Sequence, residues 1–147
     1  MATAIFVNLP VSDLERSTAF FTALGYSINP QFSDDTAASV VFSDTIYAML
    51  LTEARFKDFT PRAIADARTS TEAILCLGAP SRDEVDRIAD AALGNGGSPI
   101  SDPQDHGFMY GRSFADPDGH IWEVMWMDPA VASGEKRPGE VEAGLPS

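Results

Sequence analysis

The chain has a single cysteine, Cys76, two histidines, and only 10 lysines and arginines against 22 aspartates and glutamates. One cysteine excludes an intramolecular disulfide and a cysteine-rich zinc site. A formal charge of −12 disfavours a nucleic-acid partner, because affinity for phosphate rests on clustered Lys and Arg. No stretch approaches the ~18 consecutive apolar residues of a membrane span. Met1-Ala2-Thr3-Ala4-Ile5 has no basic region ahead of an apolar core, so no secretory signal is expected. What is present suits a folded domain: 147 residues, 44% hydrophobic and 10% aromatic. The expectation is one cytoplasmic globular domain spanning 1–147, with no membrane partner.

Residues 4–9 are apolar and rich in strand formers, and Pro10 stops them. Ser12 or Asp13 then offers an N-cap, with Glu15 at the capping-box position, for a helix over Asp13 to Leu24. Gly25 follows where a left-handed C-cap costs little. Strands are expected at Tyr26 to Phe32, Ala37 to Phe42 and Thr45 to Leu51, separated by turn-forming Ser and Asp. The second half has the same order. Thr71 to Leu77 is a strand, Ser81 caps a helix, and Val85, Ile88, Ala89 and Ala92 share one face. Gly94, Gly96 and Gly97 end that helix; strands at Ser98 to Ser101, Phe108 to Ala115 and His120 to Met127 follow. The linker, 54–70, is expected to hold a short helix over Pro61 to Ala67, and the tail, 129–147, to be loose.

The halves also match residue by residue. Ile46-Tyr47-Ala48-Met49-Leu50-Leu51 sets against Ile121-Trp122-Glu123-Val124-Met125-Trp126, and Ala23-Leu24-Gly25 against Ala92-Leu93-Gly94. Order, turn chemistry and helix position agree together, which indicates an internal duplication. The expected fold is α+β: two βαβββ modules, about 4–53 and 71–128.

Two motifs carry a resemblance. V-x-D-L-E-R-S-x-x-F-F runs from Val11 to Phe21, and F-x-D-P-D-G-H-x-W-E runs from Phe114 to Glu123. On a doubled βαβββ unit these resemble the vicinal-oxygen-chelate superfamily: glyoxalases, bleomycin-resistance proteins, fosfomycin-resistance proteins and extradiol dioxygenases. The resemblance covers about residues 4–128. It implies a curved mixed sheet enclosing a cup-shaped pocket, and in metal-dependent members four chelating positions inside it. Carried onto this chain, those positions are Phe6, Ala48, Ile74 and Glu123, with Glu72 entering if the register of the fifth strand slips.

A divalent transition ion needs three or four N, O or S donors. Glu123 alone, or Glu123 with Glu72, falls short. No metal or other cofactor is therefore expected, although a divalent metal stays open as an alternative. The pocket reads as a small-molecule site lined by Phe6, Asn8, Ala48, Ile74, Tyr110, Arg112 and Met125. Glu123 would serve as proton carrier or partner for a cationic group, or would be a buried acid tied to Arg112 or Tyr110. His106 is a second candidate proton carrier, or simply a loop histidine. Cys76 reads as a small buried hydrophobe. The favoured function is small-molecule binding at a degenerate metal site. The alternatives are a lactoylglutathione-lyase-like or dioxygenase enzyme using Glu123, or a dimeric module whose pocket its own side chains fill. Superfamily practice and the hazard of open sheet edges suggest a homodimer.

Overall fold

A computed structural model describes residues 3–137. The N-terminal module consists of β1 (Ile5–Val11), α1 (Leu14–Ala23), β2 (Ser27–Asn29), β3 (Ala37–Val41) and β4 (Ile46–Thr52). Its sheet has the order β1-β4-β3-β2, with β1 parallel to β4 and the other pairs antiparallel. After α2 (Glu53–Lys57) and an irregular stretch come β5 (Ile74–Gly78), α3 (Arg82–Gly94), β6 (Ser98–Pro99), β7 (Gln104–Asp105), β8 (Met109–Ala115) and β9 (Ile121–Met127). The second sheet runs β5-β9-β8-β6, and β7 also pairs with β8. The β5–β9 pair is again parallel, so the same architecture is built twice.

Local chemistry explains the boundaries. The Asp13 carboxylate accepts from the Arg16 amide at 3.1 Å, and the Ser81 hydroxyl from the Glu84 amide at 3.1 Å; each satisfies an orphan donor at a helix start. Gly25, at φ 104°, supplies the left-handed turn after α1. Pro30 begins a 3-10 turn over Pro30–Phe32, which cuts the expected strand at 26–32 down to Ser27–Asn29. The linker helix also differs from expectation. Thr52 caps a helix over Glu53–Lys57, accepting from Arg55, whereas 61–67 is not helical. Pro129 starts a further short helix, α4 (Pro129–Ala132), so this part of the tail is ordered; 138–147 lie outside the described residues.

Both helices lie on one side of their sheets and meet there. Leu9, Val11, Ala48 and Leu50 face α1, while Trp122 and Val124 face α3, in one continuous core. The modules are joined by aromatic packing. Phe21 meets Trp122 edge-on at 5.3 Å between centroids, Phe42 tilts on Trp122 at 5.4 Å, and Phe20 approaches Phe114 at 6.0 Å. No strand pairing joins β1 to β5. Their edges instead border a gap of about 250 Å³ lined by side chains of both.

Phe21 is 1% exposed and touches both modules. Phe21→Ala should lower unfolding free energy by about 3–5 kcal/mol, the usual cost of emptying a buried aromatic site; urea denaturation measures it.

Candidate functional site

Strand pairing decides which side chains reach the surface turned away from the helices. Phe6 pairs with Tyr47 and Asn8 with Met49; Ile74 pairs with Ile121 and Cys76 with Glu123. Alternation puts these eight on the open faces. Phe6 and Ile74 are each 57% exposed, and the Phe6 ring stacks on Tyr47 at 4.8 Å and 7°. Met125 joins Glu123 in a cleft of about 130 Å³, together with Ser101, Ser113 and Gln104. Asn8 borders a different cavity, and its amide nitrogen donates to the Phe6 carbonyl at 3.2 Å.

Ala48 and Tyr110 sit elsewhere, and Arg112 borders the Glu123 cleft while its guanidinium turns to α3. Ala48 is fully buried against the helix side. Since Phe6 pairs with Tyr47 as Ile74 does with Ile121, the counterpart of Glu123 two residues further on is Met49. Tyr110 and Arg112 pair with Trp126 and Val124 on β9, so they share the helix-facing side and not Glu123's. There the Tyr110 hydroxyl donates to Asp86 at 2.6 Å, and Arg112 reaches Asp86 at 3.0 Å and Asp90 at 2.9 Å. The Tyr110 hydrogen bond is the largest influence holding the Asp86 carboxyl below its usual range, with burial opposing it. The pair of β8 and α3 is thus fastened by charge, and Glu123 is not tied to Arg112 or Tyr110. The residue across from Glu123 on β8 is Ser113.

Cys76 is exposed, contrary to the buried reading. Partial burial, assisted by the Glu123 charge, pushes its thiol up, so it is not an activated thiolate. His106 is exposed in the turn between β7 and β8. Its ring lies 6.1 Å from Phe108, and it is absent from the lining of the Glu123 cleft. Arg82 holds that turn by a bidentate bond to Asp105 at 2.6 and 3.0 Å.

The Asp116–His120 turn is architectural. Asp116, 4% exposed, accepts from the amides of Asp118 and His120 and from the Trp122 indole, each at 3.0 Å. Asp118 reaches the other module, accepting from the Ser12 amide and hydroxyl and from the Ser17 hydroxyl at 2.8–2.9 Å. Gly119 sits at φ +92°, and a Cβ there would lie 2.8 Å from the Arg68 amide nitrogen. His120 is 3% exposed; Nδ1 lies 3.0 Å from Glu72 Oε1 and Nε2 lies 2.8 Å from the Pro10 carbonyl. Both partners offer acceptor oxygens, an arrangement that favours a ring protonated at both nitrogens. Burial opposes that charge, but Asp116, the Pro10 carbonyl and Glu72 together lift the His120 pKa above its ordinary value.

The donor set does not fit a chelated divalent ion. The four positions hold Phe6, Met49, Ile74 and Glu123, of which only the last is a hard donor. Glu72 is engaged by His120. Among the described residues no group of three or more His, Cys, Asp or Glu is placed to hold a metal ion.

This doubled, helix-backed pair of sheets defines a class. Residues 3–43 match the family described as bleomycin resistance protein-like N-terminal. A hypothetical protein from S. aureus superposes with a TM-score of 0.71 at 27% identity, over 86% of this chain and 95% of that one. A glyoxalase/bleomycin resistance protein/dioxygenase family enzyme from Burkholderia phytofirmans gives 0.70 at 14% identity, over 86% and 99%. A glyoxalase-related enzyme from Fulvimarina pelagi gives 0.71 at 20%, over 86% and 88%. No curated protein matches the sequence. The chain shares the fold of the glyoxalase/bleomycin resistance protein/dioxygenase structures, and its first 40 or so residues match the bleomycin resistance protein-like N-terminal family.

A group whose pKa is raised on folding stabilises below its unfolded value and loses that contribution as pH climbs through its folded value. The stability advantage of wild type over His120→Gln should therefore be full below about pH 6.5 and shrink at higher pH. Urea titrations across pH 6 to 9 measure the difference; a pH-independent gap would contradict the clasp.

Proposed function

We propose that this protein binds a small molecule without a metal, presenting Glu123 to a cationic group on the open face of its sheets. The observation that carries this reading is the identity of the four superfamily metal positions. Three of them offer a phenyl ring, a thioether and an aliphatic chain, and one a carboxylate. The stacked Phe6–Tyr47 pair suits a planar ligand, whose ring would extend the stack. The surplus of acidic side chains favours a cation over an anion.

A metal-dependent lyase or dioxygenase would require donors that Phe6, Met49 and Ile74 lack. A homodimer is supported by the exposed Ile5, Phe6, Ile46 and Ile74, at 54%, 57%, 37% and 57%, which cluster on β1, β4 and β5. A patch of that kind marks an interaction surface. The exposed single thiol suits a reducing, cytoplasmic compartment.

A thermal-shift screen of planar aromatic cations tests the reading. Binders should raise the melting temperature by mass action, and Glu123→Gln should weaken them about tenfold, the scale of one charge-assisted hydrogen bond. Turnover of methylglyoxal–glutathione hemithioacetal on adding Ni²⁺ or Zn²⁺ would overturn it. Sedimentation velocity should give a dimer, and Ile74→Glu a monomer.

A further inference from the structure

A second cavity, of about 270 Å³, lies beside the clasp and shares no lining residue with the Glu123 cleft. Asn8, Phe56, Thr60, Ile64 and Glu72 wall it, with His120 at its back. Three oxygens there have spare acceptor capacity. Glu72 gives Oε1 to His120, leaving its second oxygen. The Asn8 amide nitrogen is spent on the Phe6 carbonyl, leaving its own carbonyl oxygen. The Thr60 hydroxyl oxygen accepts from the Arg62 amide at 3.2 Å and has a further lone pair. Phe56 and Ile64 supply the apolar wall.

Beside the cavity runs a strap formed by residues 63–67. It separates this cavity from a larger one of about 440 Å³, lined by Ser12, Glu53, Lys57 and Arg68; Ala63, Ile64 and Ala65 border both. Among the described residues none of the backbone amides of Ala63 to Ala67 donates a hydrogen bond. The strap is held instead through Asp66, whose carbonyl accepts from the amides of Thr69 and Ser70.

We propose that the Glu72 cavity binds a primary ammonium ion on a short aliphatic chain, at a site separate from the Glu123 surface. The ammonium has three N–H donors and no acceptor, which matches the three oxygens, and its methylenes lie against Phe56 and Ile64. Glu72 then bridges the His120 ring and the ligand. A carboxylate has enough lone pairs for both.

The test is an NMR titration of the full chain with n-butylammonium, 1-butanol and butyrate. Butylammonium should shift the amides of Ala63 to Ala67, saturate in the millimolar range, and slow tryptic cleavage at Arg62. Butanol should bind at least tenfold more weakly, and butyrate not at all. Glu72→Gln should abolish the response, and Ile64→Trp should do the same by filling the cavity while leaving the His120–Glu72 contact in place. Glu123→Gln should leave the titration unchanged, so this site and the planar-cation site stand or fall separately. The proposal is overturned by butanol binding as tightly as the amine, by Ile64→Trp leaving the titration intact, or by Glu123→Gln removing it.

Discussion

Among the described residues the two modules share no strand pairing, so their relative position depends on what passes between them through side chains. Aromatic packing fills the joint between them, but the hydrophobic drive behind it is nondirectional. Direction comes from the Asp116–His120 turn. Asp118 grips the start of α1 through Ser12 and Ser17, and His120 bonds the last residues of β1 through Pro10. Asp116 stiffens the turn from within and anchors Trp122, the residue on which Phe21 and Phe42 pack. One short loop therefore sets the apposition of β1 and β5, and with it the spacing of Phe6, Ile74 and Glu123.

A motif that marks a superfamily need not mark its chemistry. Five consecutive residues of this turn, Asp116 to His120, are bound up in loop geometry or inter-module contacts, and Glu123, at the motif's end, borders a cleft. His120, the histidine nearest the candidate sites, has both nitrogens occupied, so it cannot shuttle protons without releasing the clasp. The open faces of this chain carry Phe6, Met49 and Ile74 beside Glu123, whose cleft Asp102 also borders.

Much of this was legible in the amino-acid order. Caps at Asp13 and Ser81, the turn glycine at 25 and the repeated strand order located both modules. Face assignment was harder. Aligning Ile46 with Ile121 put Ala48 over Glu123, one residue out, and with a period of two that error moves a side chain to the opposite face. For Tyr110 and Arg112 the signal was available. The Asp116–His120 turn pairs Ala115 with Ile121, and counting back sets Arg112 against Val124, on the core side. Phe56, Thr60 and the strap lie in a stretch without periodicity, where only tertiary contacts assign a role. The exposure of Cys76 had no cue, because an apolar parallel strand reads as buried on both sides.

The seam between β1 and β5 has a consequence for how such a protein changes over time. Hydrogen-bonded ladders fix inter-strand distance to within a few tenths of an ångström, whereas a greasy joint accepts a small rotation whenever one filler side chain is exchanged for another. Substituting Val7, Phe42 or Leu75 can thus open or narrow the hollow while each panel keeps its own register, a route to new ligand sizes that leaves both halves foldable.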